Sequence, residues 1–480
     1  MVHGTTGQRL LYLIAAVAQG GSAVLVQPFA IRILDPEQWG QVSLMLSLCA
    51  VSLVAVTAGF PTIIGSIYFD PENGRAKARS LNAFGMLTSL GTATLAGVVY
   101  TTIALSTGAF DVSTLLLIAL ATIALQAVCQ TALAFLRSSQ RAVAYVIVLV
   151  LATALGHVAG LLAIVLFEAT AVVYLAAYAS CALVAALIAV ALSKPSPPFR
   201  YPAALKHAVL LALPALPHSV AFIALQQGEA LLINAFQGPG PTGRYNAVMP
   251  FALGAIAIAI ALSNVWQVTL LSLRGRDEEG HGAATQREAY FMAFLLTLAG
   301  TGSAVIGTYI LVNGPDAELF ALAKVLPFVV YGYIAFTVAQ TQLFAVHRTR
   351  SLAVITPLVA AIALGIAIYP ASIGALFPIG VIKVLAFLVL GLLYVWVARR
   401  VQRDLIALKP LFGWMGLAAA ATCISLMLPN DPLTGTVTLV VSLMVAAALG
   451  YWFLRRRRSA KPEAPGRTID RISPDLPPND

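Results

Sequence analysis

Charged side chains are scarce in this chain. Only 10% of its 480 residues are Asp, Glu, Lys or Arg, against about 25% in soluble domains. No stretch is polar enough, for long enough, to form a sizeable water-soluble domain. Cysteine is also rare, with four residues. Cys49, Cys129, Cys181 and Cys423 all fall within apolar runs, so they read as packing residues and imply no disulfide. The six histidines are scattered without metal-ligand spacing, and no His-Glu-x-x-His occurs. No phosphate-binding loop ends in Gly-Lys-Ser/Thr. Gly238-Pro239-Gly240-Pro241-Thr242-Gly243 has the spacing of a dinucleotide fingerprint, but no strand precedes it. The chain therefore reads as neither an enzyme nor an ATPase, with no cofactor and no metal.

What fills the chain is apolar residue: 60% of the total, with a mean hydropathy of +0.89. Apolar runs of about 20 residues recur from end to end, each long enough to cross a bilayer as a helix. A transmembrane barrel would show short alternating segments instead. The expected fold is an all-α polytopic membrane protein with about fourteen spans. These lie near 10–33, 41–69, 82–106, 113–136, 142–166, 171–192, 208–236, 246–272, 289–313, 319–344, 352–370, 377–398, 411–429 and 435–454. The first run is too long for a signal peptide and reads as a retained span.

Lys and Arg outnumber Asp and Glu, 29 to 19. All but four of these cations fall in one set of alternating loops or in the tail, which places those loops and both termini in the cytoplasm. The opposite loops are short and hold Asp35, Glu37, Asp111, Glu168, Asp316, Glu318 and Asp431. This bias explains the formal net charge of +10. It argues for contact with anionic phospholipids at the cytoplasmic face, not with nucleic acid. Arg455 to Arg458 follow the last span as a membrane-surface anchor, and the Pro-rich, charged tail beyond them reads as disordered.

The four cations outside this pattern are Arg32, Arg244, Lys324 and Lys383. Lys324 and Lys383 start roughly 7–10 Å inside spans ten and twelve at 1.5 Å per residue. Each could snorkel to the interface or form a cationic wall for an anionic substrate. Arg32 and Arg244 are nearer the external edge; Arg32 could pair with Asp35 or Glu37, and Arg244 could lie exposed in its loop. Glu229 is the one acid deep in a span. It reads either as an ion-coupling site or as half of a structural ion pair. Gly156-His157-Val158-Ala159-Gly160 sets two small residues on one helix face, which suits close packing, and His157 is a candidate polar group facing a lumen. His218, Asn234 and Asn264 could hydrogen-bond across helices.

The Pro-rich connector Ser193-Lys194-Pro195-Ser196-Pro197-Pro198 divides the chain into two lobes of six spans, with a short basic surface helix expected from Tyr201 to His207. The expected domains are 1–207, 208–408, helices thirteen and fourteen over 409–454, and the basic tail over 455–480. A weak repeat supports the division. Leu34-Asp35-Pro36-Glu37-Gln38-Trp39-Gly40 after span one matches Gly240-Pro241-Thr242-Gly243-Arg244-Tyr245 after span seven, each a Pro/Gly turn with an aromatic. Two lobes running in the same direction would be related by an axis along the membrane normal. Prolines within spans kink helices. Pro28, Pro61, Pro214 and Pro217 are candidate hinges, while purely structural kinks are the plain alternative.

These features resemble polysaccharide-exporting flippases. The resemblance rests on the opening span, the Leu34–Gly40 turn, the kinked Ala58-Gly59-Phe60-Pro61, and span seven with Leu213-Pro214, Glu229 and the following Gly243-Arg244-Tyr245. Such proteins belong to the multidrug/oligosaccharidyl-lipid/polysaccharide exporter superfamily. The resemblance implies two six-helix lobes around a central cavity, with two extra C-terminal helices. It implies alternating-access translocation of a polyprenyl-pyrophosphate-linked oligosaccharide across a bacterial cytoplasmic membrane, for a surface polysaccharide. It also implies polysaccharide polymerase and export machinery as partners. The family often has an acid followed by a basic residue in span seven; here Glu229 is followed by Ala230. An ion-coupled multidrug-type exporter is one alternative. A glycan polymerase or glycosyltransferase is another, but such enzymes usually carry a large external loop.

Overall fold

The computed structural model describes residues 21–108, 111–272, 281–312, 314–345, 352–403 and 406–459. Among them every regular element is helical. The first lobe holds α1 (Gly21–Ile33), α2 (Pro36–Thr57), α3 (Phe60–Ile67), α4 (Gly74–Thr107), α5 (Thr114–Ser138), α6 (Ala142–Ala152), α7 (Ala154–Leu166) and α8 (Ala171–Ser193). The second holds α9 (Pro202–Gln237), α10 (Pro239–Val248), α11 (Pro250–Ser272), α12 (His281–Leu311), α13 (Ala317–Val325), α14 (Val329–Ala345), α15 (Leu352–Ser372) and α16 (Leu376–Val401). Two further helices, α17 (Leu408–Met427) and α18 (Pro432–Ser459), pack on α12.

Among the described residues twelve helices are long and apolar enough to cross a membrane, and the pair α10–α11, bent by 47° between Val248 and Pro250, makes a thirteenth if counted as one span. Helix α1 is the described part of the first expected span; residues 10–20 and the tail beyond Ser459 lie outside the described residues. Two further spans are composite. Helices α6 and α7 form one crossing broken at Thr153, and α13 joins α14 through a 3₁₀ turn at Leu326–Phe328 that contains Pro327.

Local chemistry explains the breaks. Helix α2 starts at Pro36 with Asp35 as its cap: the carboxylate accepts from the Gln38 N–H at 2.7 Å. The helix ends where Ala58 (φ +46°) and Gly59 (φ +74°) both turn left-handed, and Pro61 lies in the first turn of α3. A left-handed alanine is a strained position, tolerated because the next residue is glycine. The expected kink at Pro61 is thus a complete break. Pro214 and Pro217, by contrast, lie inside the continuous α9. The expected surface helix from Tyr201 to His207 is not separate either, since α9 begins at Pro202 and runs on as the span. Its first turns pack on the first lobe, where Ala208 and Ala212 join Phe60, Ile63, Ile64 and Phe135 in one core cluster.

Acids at the Lys/Arg-poor end serve as helix caps. Asp316 caps α13 through the Leu319 N–H, Asp431 caps α18 through the Thr434 N–H, and Glu318 Oε1 accepts from the Leu376 and Phe377 N–H groups that open α16. Negative charge there satisfies orphan donors and complements the helix dipole.

Small residues set the tightest crossings. A Cβ on Gly391 of α16 would stand 2.7 Å from the Gly332 carbonyl oxygen of α14. Gly156 and Gly160 of α7 make room for the rings of Tyr178 and Tyr174 on α8, the close packing that small residues permit between membrane helices. The two lobes meet in the same way at their Lys/Arg-poor ends, where α2 crosses α10. Both helices begin with proline, at Pro36 and Pro239, and both have glycine four residues later, at Gly40 and Gly243. A Cβ on Gly40 would run into the Pro239 carbonyl oxygen, and one on Gly243 would stand 2.6 Å from the Pro36 carbonyl oxygen. The repeated turns therefore face each other, backbone to backbone, across the seam between lobes.

Candidate functional site

Directly beneath this crossing is a cavity of about 380 Å³ between the lobes. That volume falls within the roughly 300–1,000 Å³ typical of small-ligand sites. The first lobe contributes Gln27 (α1), Trp39, Ser43 and Ser47 (α2), Gln126 and Gln130 (α5), Thr153, His157 (α7) and Tyr178 (α8). The second contributes Gln227 (α9), Asn246 (α10), and Met249, Pro250 and Leu253 at the α10–α11 bend. Among the described lining residues there is no Asp, Glu, Lys or Arg.

Hydrogen bonds tie the two walls together. Gln27 Nε2 donates to the Ala247 carbonyl at 2.7 Å, and the Ser47 hydroxyl donates to Gln227 Oε1 at 3.3 Å. Within the first lobe, Gln126 Nε2 donates to the Tyr178 hydroxyl at 2.9 Å, and His157 Nδ1 lies 3.0 Å from the Tyr174 hydroxyl. The His157 ring also packs 5.0 Å from that of Tyr178. Two buried donors of cavity-lining residues have no acceptor among the described residues: Trp39 Nε1 and Asn246 Nδ2.

The structure brings one of the sequence-derived candidates, His157, to this cavity, and places the cations elsewhere. Lys383 is fully buried on α16; its Nζ stands 2.9 Å from Glu229 Oε2 and 2.6 Å from the Gln226 carbonyl, both on α9. Glu229 and Lys383 thus form a buried ion pair inside the second lobe, because each is the nearby charge that offsets the other's desolvation. Lys324 is 2% exposed. Its Nζ donates to the Leu428 carbonyl at 2.8 Å and to Asn430 Oδ1 at 2.7 Å, so it caps the C-terminal end of α17. Arg244 pairs with Asp316 beside the α2–α10 crossing. Arg32 Nη1 donates to the Pro28 carbonyl of its own helix at 2.9 Å.

His218 bonds across helices, with Nδ1 2.9 Å from the Thr356 hydroxyl of α15 and Nε2 3.2 Å from Gln340 Nε2 of α14. The side chain of Asn264 lies outside the described residues. Reasoning from the sequence followed charge and so passed over the cavity's amides and Trp39. The signal that could have found them is an uncharged amide recurring inside apolar spans, as at Gln27, Gln126, Gln130 and Gln227.

Comparison with solved structures identifies the architecture. The fold is similar to the lipid II flippase MurJ in an inward closed conformation, with a TM-score of 0.61 and 13% identity over 95% of this chain and 98% of that one. It is similar to an inward-facing multidrug resistance MATE transporter of the MOP superfamily, with a TM-score of 0.56 and 14% identity over 84% and 97% of the two chains. A MOP superfamily transporter from Pyrococcus furiosus, whose binding pocket is described as of reverse polarity, matches with a TM-score of 0.52 and 15% identity over 84% and 99%. At such identities these likenesses establish the fold alone: a two-lobed, all-helical, multi-pass membrane architecture. No curated protein matches the chain by sequence. The family model described as polysaccharide biosynthesis protein matches residues 30–313, more than half of the chain, and the protein belongs to that family.

Proposed function

We propose that this protein is a flippase that moves the head of a polyprenyl-pyrophosphate-linked oligosaccharide across a bacterial cytoplasmic membrane by alternating access, for a surface polysaccharide. The single observation that carries the reading is the cavity between the lobes, which sets amides, hydroxyls and His157 into a largely apolar wall with no charge among its described lining residues, and has one end covered by the α2–α10 crossing. A sugar head needs a polar path while its lipid tail stays in hydrocarbon, and a lobe interface that opens alternately to each side supplies one. Family membership and the likeness in fold to a lipid II flippase support the same reading.

In this proposal both termini are cytoplasmic and the α2–α10 crossing is the outer gate. The lobes follow 1–207 and 208–408, with 409–454 as an added helix pair and 455–480 as a basic tail at anionic lipid. Polymerase and export machinery take the product. His157 touches the head in the cavity. Arg32 and Arg244 stand at the gate's edge, where a pyrophosphate would pass. The break at Pro61 and the prolines of α9 absorb the motion, with Pro28 doing so in α1. Glu229 and Lys383 hold α9 against α16. A multidrug exporter of cations would need an acid in the cavity, and the described lining has none.

The test is reconstitution. Purified protein in vesicles should accelerate transbilayer movement of a fluorescent polyprenyl-pyrophosphate oligosaccharide over protein-free vesicles. Movement of a cationic dye with no movement of the lipid-linked sugar would transfer the protein to the multidrug class.

A further inference from the structure

We infer that the cavity is a recognition site for an uncharged sugar, read by two buried donors, Trp39 Nε1 and Asn246 Nδ2, and that it discriminates against heads bearing a carboxylate. The inference rests on the flippase reading and adds which part of the substrate the cavity takes.

Trp39 is 6% exposed and Asn246 8%, both line the cavity, and neither donor atom has an acceptor among the described residues. A buried donor left unpaired costs about 1–3 kcal/mol, so a ligand acceptor that reaches either one is favoured. They come from opposite lobes, from matching helices: Trp39 from the first turn of α2 and Asn246 from α10. One ligand accepting from both would bridge the seam just below the gate.

Sugar hydroxyls, ring oxygens and N-acyl carbonyls are acceptors of this kind. Phosphate and carboxylate accept as well, but charge decides between them. With no Lys or Arg among the described lining residues, an anion here would be desolvated without a counter-charge. The deep cations are already committed, Lys383 to Glu229 and Lys324 to the α17–α18 turn. The remaining polar groups on the wall include the amides of Gln130 and Gln227 and the hydroxyls of Ser43 and Thr153, which pair with neutral hydroxyls as donor or acceptor.

The experiment compares two fluorescent polyprenyl-pyrophosphate disaccharides in vesicles, identical except that one carries a uronic acid in place of a neutral hexose. Wild-type protein is expected to flip the neutral probe at least about tenfold faster. Trp39→Phe, which keeps an aromatic ring and removes the N–H, and Asn246→Leu should each lower the neutral rate by about tenfold while barely changing the slow acidic rate. Gln130→Lys should narrow the preference by favouring the acidic probe. Equal wild-type rates, or a faster acidic probe, overturn the inference and leave the flippase reading standing. Failure of the wild type to flip either probe overturns both. If the Trp39 and Asn246 variants do not fold, the wild-type comparison decides alone.

Discussion

Replacing Lys383 with methionine leaves Glu229 buried in the second lobe with its counter-charge gone. The two charged atoms are 2.9 Å apart and the side chains are 0% and 4% exposed, so water screens the pair little. At an effective dielectric constant of about 20, two unit charges at that separation attract by roughly 6 kcal/mol. Desolvation of both groups opposes most of this, whereas deleting one partner exposes the full cost of the other, about 3–5 kcal/mol. Lys383→Met should therefore lower unfolding stability in detergent by about that much, measured by denaturant titration. Glu229→Gln together with Lys383→Met should recover most of it, since no bare charge remains. A double-mutant cycle isolates the coupling. A single variant as stable as wild type, or a double variant less stable than the single, would refute the pairing. The same proteins also test the coupling role. A structural pair predicts that the folded double variant keeps any proton or sodium dependence of transport, and loss of that dependence would move Glu229 into the coupling machinery.

Gly243→Val should force the α2–α10 crossing apart, because even a Cβ there meets the Pro36 carbonyl oxygen at 2.6 Å. A thiol probe at Asn246→Cys should then label several-fold faster from the outer side, and an unchanged rate would refute the closed seam. Lys324→Ala removes two partly buried hydrogen bonds to the α17–α18 turn and should cost about 1–3 kcal/mol. Hydrogen exchange should rise selectively near Leu428 to Asp431; uniform protection would sink the capping role. Ala58→Gly relieves a left-handed alanine and should stabilise by about 1 kcal/mol, while Gly59→Ala should cost about 1–2 kcal/mol, both read from melting in detergent.

Span number and the two-lobe plan were legible because a bilayer imposes a length and an apolar composition on every crossing, and those are one-dimensional properties. Breaks inside spans were legible in part. Ala58-Gly59-Phe60-Pro61 announced a discontinuity, whereas Pro214 and Pro217 announced one that α9 absorbs without breaking. The fate of the deep charges was not legible. Lys324 and Lys383 sit at similar depths in the sequence, yet one meets a helix C-terminus and the other meets Glu229. Which of these happens depends on helix rotation and on neighbours more than a hundred residues away. The cavity was hidden for a related reason. Gln27, Trp39, Gln126, Gln130, Gln227 and Asn246 on its wall are uncharged and spread over five helices, so only the recurrence of amides inside apolar spans marks them.

The α2–α10 crossing carries a meaning beyond closure. Each side offers a proline at its start and a glycine four residues on, and each glycine receives the other side's proline carbonyl region. A contact in which patch one fits patch two as patch two fits patch one is what identical subunits make about a twofold axis. The seam thus has, within one chain, the reciprocal geometry of a homodimer interface. A half-length protein with a single copy of the turn would already form this closure by pairing with itself. Carried in one chain, the two copies are free to differ around it, with Trp39 on one wall and Asn246 on the other.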